Sequence, residues 1–425
     1  MSRFRWLPDG SPFNERPFRR VFERVKRPLP PDPEIVTAYT DGQVTLRSNR
    51  SKDGYHEAAD LSGFQGVEVG DFVVHGLDIL RGSVGVSDST GALSSVCIVS
   101  VPRVESDPRY FAYAIRAQAW AGVPRALAKG VREGGADFRR WDTLAELPLP
   151  VPSPHEQRAI ADYLDIETAR IDALISKKRR LIELLDERRS NLVSAAVTMG
   201  LEKNPESVGT SNRYVRRIPK HWRHMRLRHV VEQIIDTPHK TAPVVDDGEY
   251  LVVRTSNVKM GRLVLDEARY TDRASWLEWN HRGEPRPGDV LLTREAPAGE
   301  ACIVPPDVRL CIGQRMVLLH VRQAIVSGEW VVHSIYSEHA QRFIRDLSNA
   351  TTVAHLNMSD IPGIPIAVPD LREQQQLLIR IRSEVRRHDE TVSRLNRQID
   401  LLSQRRQSLI TAVVTGEMAV PRVVA

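Results

Sequence analysis

The chain has 425 residues, of which 41% are hydrophobic and 27% charged. That composition allows about two to three domains with true cores and excludes a disordered or fibrous protein. The 60 Lys and Arg against 54 Asp and Glu leave a net charge of +6, which permits a nucleic-acid partner without requiring one.

Residues 1–151 read as a first globular module. Short apolar runs such as Asp71–Val74 and Val96–Val99 alternate with Gly and Pro turns, and 107–120 has helical spacing, so short strands with a few helices are expected. The N-terminal segment lacks the apolar run of a secretory signal, and no stretch reaches the roughly 18 apolar residues of a membrane span. Three scattered cysteines, Cys97, Cys302 and Cys311, form neither a disulfide framework nor a zinc pattern. A reduced, cytoplasmic protein is expected. Arg16, Arg19, Arg20, Arg24, Lys26 and Arg27 cluster near the start; of these, Arg19, Arg20, Lys26 and Arg27 are candidate phosphate contacts. Arg47, Asn49, Arg50 and Lys52 flank a strand. Arg pairs with guanine and Asn with adenine through two bonds each, so these are candidate base contacts.

A long helix is predicted over 152–200. Ser153-Pro154-His155-Glu156 is a capping box with Pro at the first helical position. No Pro or Gly follows until Gly200, giving a helix of about 65 Å at 1.5 Å per residue. Thr168, Ile171, Ile175, Lys178, Ile182, Leu185, Arg189, Leu192 and Ala196 alternate by three and four, as in a coiled-coil seam. Leu174, Leu181, Leu184 and Val193 lie off that seam and suggest further helices packing alongside.

After a linker at 201–215, residues 216–368 read as a second module, with strands at 250–253 and 315–319 and a helix at 328–346. Residues 213–229 carry seven Arg or Lys and three His; Arg216, Arg217, Lys220 and Arg223 are candidate phosphate contacts. Arg254, Thr255, Asn257, Lys259, Arg294, Gln314 and Arg315 are candidate base contacts. VEVGDFVVH (67–75) aligns with PRPGDVLLT (285–293), so the modules are distant copies.

A second long helix is predicted over 369–417, with a tail at 418–425. Residues 366–415 align without a gap on 149–198 at an offset of 217, with about a third of positions identical. Asp370 to Glu373 repeats the capping box. Val385, His388, Val392, Leu395, Ile399, Leu402, Arg406, Leu409 and Val413 form the equivalent seam. A module of this size, with a radius of gyration near 15 Å, cannot carry the chain back along the rod. The helices are therefore expected to be antiparallel, one module at each end, related by an approximate two-fold axis. The fold class is α+β, two mixed modules joined by a coiled coil.

No Gly-Lys pair exists, which removes a Walker A loop. No methyltransferase Asn/Asp-Pro-Pro-aromatic motif, H-E-x-x-H helix or nuclease Pro-Asp…acidic-x-Lys set appears, so no catalytic or metal site is expected in the chain.

The chain resembles the specificity subunits of type I restriction–modification systems. The resemblance is carried by PVPSPHEQRAIADYLDIETARIDALISKKRRLIELLDERRSNLVSAAVTMGL, IPKHW and AVPDLREQQ, and the module–helix order covers essentially the whole chain. It implies that each module reads half of a bipartite double-stranded DNA site. The helices then act as a ruler and dock two modification subunits, which bind S-adenosylmethionine; two restriction subunits using ATP and magnesium can join. Glu156, Gln157, Glu373 and Gln374 match the helix-opening motif, as caps first and partner contacts second, and Leu174, Leu181 and Leu184 are docking candidates. Two other readings remain open: a single-chain methyltransferase or nuclease with unrecognised motifs, and a protein-only coiled-coil adaptor.

Overall fold

A computed structural model describes residues 6–50, 61–128, 131–132, 135–202, 204–238, 240–348 and 355–421. The chain divides into two compact units, residues 1–178 with 396–425, and residues 179–395. No helix among the described residues is long and apolar enough to cross a membrane.

In the first unit, one four-stranded antiparallel sheet runs in the order Phe22–Val25, Cys97–Pro102, Phe72–His75, Val84–Val86. A second runs Val44–Leu46, Ile35–Ala38, Gly91–Ser94, Phe64–Val67, and its two inner strands are parallel. Phe18, Phe22 and Phe72 pack ring against ring, and Phe22 meets Phe111 of the helix Pro108–Trp120 edge-on. Asp107 caps that helix by accepting from the N–H of Arg109. The strand Asn14–Pro17 pairs antiparallel with Pro148–Val151, which brings the module's entry beside its exit into the first long helix.

The second unit repeats the plan. Its four-stranded sheet runs Val231–Asp236, Met316–Val321, Val290–Thr293, Ala301–Ile303. Its three-stranded sheet runs Arg269–Thr271, Tyr250–Val253, Leu310–Ile312, again with one parallel pair. The entry strand Arg223–Arg226 pairs with Pro365–Val368. The aligned Gly-Asp turns also match. Gly70 and Gly288 sit at φ +91° and +88°, a conformation open to glycine at little cost. Asp71 and Asp289 each accept a backbone N–H from three residues earlier, Glu68 and Arg286, at 2.8 Å. The helix expected at 328–346 is two helices, Gly328–Ile335 and Glu338–Ser348. The Ser337 hydroxyl turns back to the carbonyl of Ser334 and interrupts the run.

The long helices span Pro154–Met199 and Leu371–Val414. Every seam residue is buried or half-buried. In the first unit Asp172 pairs with Arg406 at 3.1 Å and Lys178 with Gln398 at 2.6 Å, a descending register that makes the helices antiparallel. In the second unit Arg189 lies 3.9 Å from Asp389, the repeat of the Arg406–Asp172 pair with the helices exchanged. The polar interruptions of the seam thus find partners across it, as register-setting groups should.

Each unit's core takes in both helices. Ile160, Ala161 and Leu164 from the start of the first helix join Ile410, Val413 and Val414 from the end of the second in one core. In the other unit, Val193, Ala196 and Val197 join Leu377, Leu378 and Ile381. Val193, read as an off-seam residue free for another helix, is a core residue of this unit. Thr198, near the end of its helix, is 3.2 Å from His339 Nδ1. His339 is buried, and burial, assisted by nearby His224, pushes its pKa down to about 4.

Two outcomes are expected. Ile410→Ala should lower the urea stability of the first unit by about 2–5 kcal/mol, whereas Ile379→Ala, at 62% exposed, should stay within about 0.5 kcal/mol. His339 has a folded pKa below that of the unfolded chain, so the unfolded state binds the extra proton. Stability should be full above about pH 6.5 and fall towards pH 4, by an amount on the order of 3 kcal/mol. The slope should flatten in His339→Gln, measured by thermal unfolding against pH.

Candidate nucleic-acid interface

The paired Glu-Gln motifs prove to be fasteners. Ser153 and Glu156 close a complete capping box: the Glu156 carboxylate accepts from the Ser153 N–H and hydroxyl at 2.9 and 2.7 Å, and the Ser153 hydroxyl accepts from the Glu156 N–H. These bonds, the hydroxyl's first, hold the Glu156 carboxyl below its ordinary pKa. Gln157 is buried. Its amide donates to the carbonyl of Pro152 and accepts from the N–H of Asp107, the residue that caps the module's helix. Gln374 does the same in the second unit, donating to Pro369 and Ile325 and accepting from Ser327, the cap of the 328–335 helix.

The second capping box is only half formed. Asp370 accepts from the N–H of Glu373 at 2.8 Å, but the Glu373 carboxylate turns away to the Trp222 indole at 3.0 Å. The IPKHW segment delivers that indole, whose buried N–H needs an acceptor.

In the second module, the parallel pairing of Val253 with Ile312 makes both strands end at one edge. Arg254 leaves one strand, and Gln314 and Arg315 leave the other. Gln314 and Arg315 are exposed. Arg315 sits at φ +73°, a strained conformation for a non-glycine residue. Its Nε meets Glu295 at 3.2 Å, and its carbonyl accepts from the N–H of Arg294. Glu295 in turn meets His355 at 2.8 Å. Arg294 is buried and holds Asp236 at 3.0 Å and the carbonyl of Leu356. Arg254 donates to the carbonyl of Glu267. Asn257 is fully buried, its amide spent on the Arg254 N–H and the Val264 carbonyl. Asn257 and Arg294 therefore shape the edge from within. Lys259 is exposed and Thr255 half-buried.

In the first module Arg47, Asn49 and Arg50 form a short turn after Val44–Leu46, which runs antiparallel to Ile35–Ala38 with Leu46 opposite Val36, so the turn begins at the other end of the parallel pair. Asn49 is exposed and donates to the Thr45 hydroxyl at 3.0 Å. Arg50 lies over the Tyr39 ring at 4.2 Å and pairs with Asp41 at 2.8 Å. Lys52 lies outside the described residues.

The basic residues at the module openings divide by partner. Arg20, Lys26, Arg216 and Arg223 are exposed. Arg19 meets Glu146, Lys220 meets Glu206, and Arg217 donates to Ser207. Arg27 grips Asp71 through two bonds of 2.9 Å, so its charge is largely spent inside the module. Leu174, Leu181 and Leu184 remain exposed at 47, 45 and 45%. The three cysteines are buried, and burial pushes each thiol up to about 12. Among the described residues no cluster of His, Cys, Asp and Glu could hold a metal ion.

Several side chains escaped the reading of the sequence. Asp236, Glu295 and His355 position the second edge and carry no local motif. Arg116, a lone charge in the apolar run AYAIRAQAW, had a visible signal, because a charged residue on a helix's buried face needs a reason.

No family model matches the chain. It is 22% identical over 333 residues to the Escherichia coli type I restriction enzyme EcoBI specificity subunit, covering 76% of this chain and 68% of that protein. To the E. coli EcoDI specificity subunit it is 17% identical over 319 residues, covering 70% and 68%. A solved chain from a type I R-M system, studied for complex assembly and conformational transition, superposes with a TM-score of 0.68 at 15% identity, over 97% of this chain and all of that one. In sequence the chain is thus similar to type I specificity subunits, and it shares the fold of that solved chain.

Gln157→Leu should cost about 3 kcal/mol, because it strands a buried N–H and a buried carbonyl. Glu156→Gln should cost about 1 kcal/mol or less. Chemical denaturation of the full chain separates the two.

Proposed function

We propose that this chain gives sequence specificity to a type I restriction–modification complex, each module reading one half of a bipartite DNA site. The observation that carries the reading is duplication with divergence. Two modules share a sheet order and the same fastening to the long helices, yet carry different polar side chains beside the sheet that holds their parallel pair: Arg47, Asn49 and Arg50 in one, Arg254, Gln314 and Arg315 in the other. A common frame with different polar groups is what two readers of different base sequences require. The antiparallel helices set the spacer between the half-sites, and the exposed Leu174, Leu181 and Leu184 dock modification subunits. Methyl transfer with S-adenosylmethionine, and any cleavage driven by ATP and magnesium, belong to those partners.

The purified chain should transfer no methyl groups to DNA, and with its modification partner it should methylate adenine at one split motif. Exchanging residues 216–368 for the module of a relative should change one half of that motif only, read by sequencing methylated DNA. Methyl transfer by the lone chain, or a change in both halves, would refute the assignment. Affinity should fall steeply with salt; binding indifferent to salt would instead mark a protein-only adaptor.

A further inference from the structure

In the first unit, the helix Pro108–Trp120, the first long helix and the turn after Ile35–Ala38 enclose a cleft of about 810 Å³. Four arginines and four aspartates line it. Three pairs close on themselves: Arg50 with Asp41 at 2.8 Å, Arg109 with Asp165 at 2.7 Å, and Arg406 with Asp172 at 3.1 Å. Asp88 accepts from the Ser89 hydroxyl. Arg116 is the arginine left over. It is 6% exposed, and its Nε has no acceptor. Among the described residues its guanidinium is in no ion pair; Asp41, Asp172 and Tyr113 act on it only through space, and the Trp120 ring lies 5.7 Å away.

The backbone makes room for this group. Gly42 stands at φ +95°, and a Cβ there would lie 2.6 Å from Arg116 Nη1. Burial, with Arg406 adding repulsion, pushes the Arg116 pKa down to about 10, so the side chain is still charged near neutral pH. Asp41 and Asp172 offset part of this cost at a distance, but a buried charge with no directly bonded partner is disfavoured.

We propose that this cleft binds an oxyanion of the phosphate class, with Arg116 as its principal ligand, either as free phosphate or as a phosphate of a DNA strand. The planar guanidinium offers two parallel donors that match a phosphate edge, and exposed Gln43 at the rim offers a further amide. The equivalent position in the second unit is occupied differently. Tyr336, nine residues past the cap Ser327 as Arg116 is past Asp107, has its hydroxyl bonded to Glu300, Gly261 and Ala301. The site is therefore a property of the first module, and it does not rest on the functional assignment above.

The test uses the full chain in phosphate and in chloride at equal ionic strength. Phosphate should raise the Tm of the wild type by about 3 °C and broaden the ³¹P resonance of inorganic phosphate. Arg116→Met should lose both effects without melting lower in chloride. Ala169→Glu, an exposed helical position on the cleft wall, should lose them too by supplying a carboxylate in place. If free phosphate has no effect but Arg116→Met lowers the slope of log Kd against log salt for DNA by about one, the phosphate comes from the strand. Arg116→Met responding like the wild type in every arm overturns the proposal. So does a wild type indifferent to phosphate whose salt slope Arg116→Met leaves unchanged. A chain that binds no DNA removes the assignment above, while the phosphate arm still decides this site.

Discussion

Each module's core is completed by long-helix segments that its own strands cannot replace. Ile160, Ala161 and Leu164 meet Ile410, Val413 and Val414 in one core, and Val193, Ala196 and Val197 meet Leu377, Leu378 and Ile381 in the other. Burial of these apolar side chains, worth about 1.5–3 kcal/mol each when complete, ties the last residues of the chain to the first module. It also explains why helices of 46 and 44 residues persist with so many charges between their ends. Most helical stability in a folded protein comes from packing one face, and here both ends of each helix are packed.

The fastening repeats in detail where geometry demands it and varies where it does not. Gln157 and Gln374 make the same bonds, because a buried carbonyl and a buried N–H at the cap of the module helix must both be satisfied. Beside them an ion pair recurs with its signs exchanged. Arg109 meets Asp165 in one unit, and Glu329 meets Arg382 in the other, both at 2.7 Å. The site requires opposite charges and is indifferent to which element carries which. Each module helix is therefore matched electrostatically to the long helix that follows it.

The candidate polar groups of the two modules differ in how they are held. In the second module a chain of contacts runs from Asp236 through Arg294 and His355 to Glu295 and Arg315. It holds exposed Arg315 against half-buried Glu295, which is itself braced by His355, a form of preorganisation that lowers the entropy lost on binding. In the first module Arg50 is braced more simply, by one aspartate and one tyrosine ring.

The repeat, both long helices, the seam and the first capping box were legible in the sequence, because each depends on residues three, four or seven apart and on local caps. The antiparallel pairing followed from connectivity, because a compact module cannot carry the chain back along so long a helix. What tertiary structure decided was the fate of individual polar side chains. Asn257 and Arg294 have the residue types of base readers, but contacts made 7 and 58 positions away turned them inward. Glu373 left its expected cap for Trp222, 151 positions earlier, and Ser337 broke a helix whose apolar spacing ran on. Arg116 acquired its meaning from what it lacks, an acceptor. Periodicity can assign a residue to a face, but the partner that satisfies a buried donor comes from elsewhere in the chain and is fixed only when the chain has folded.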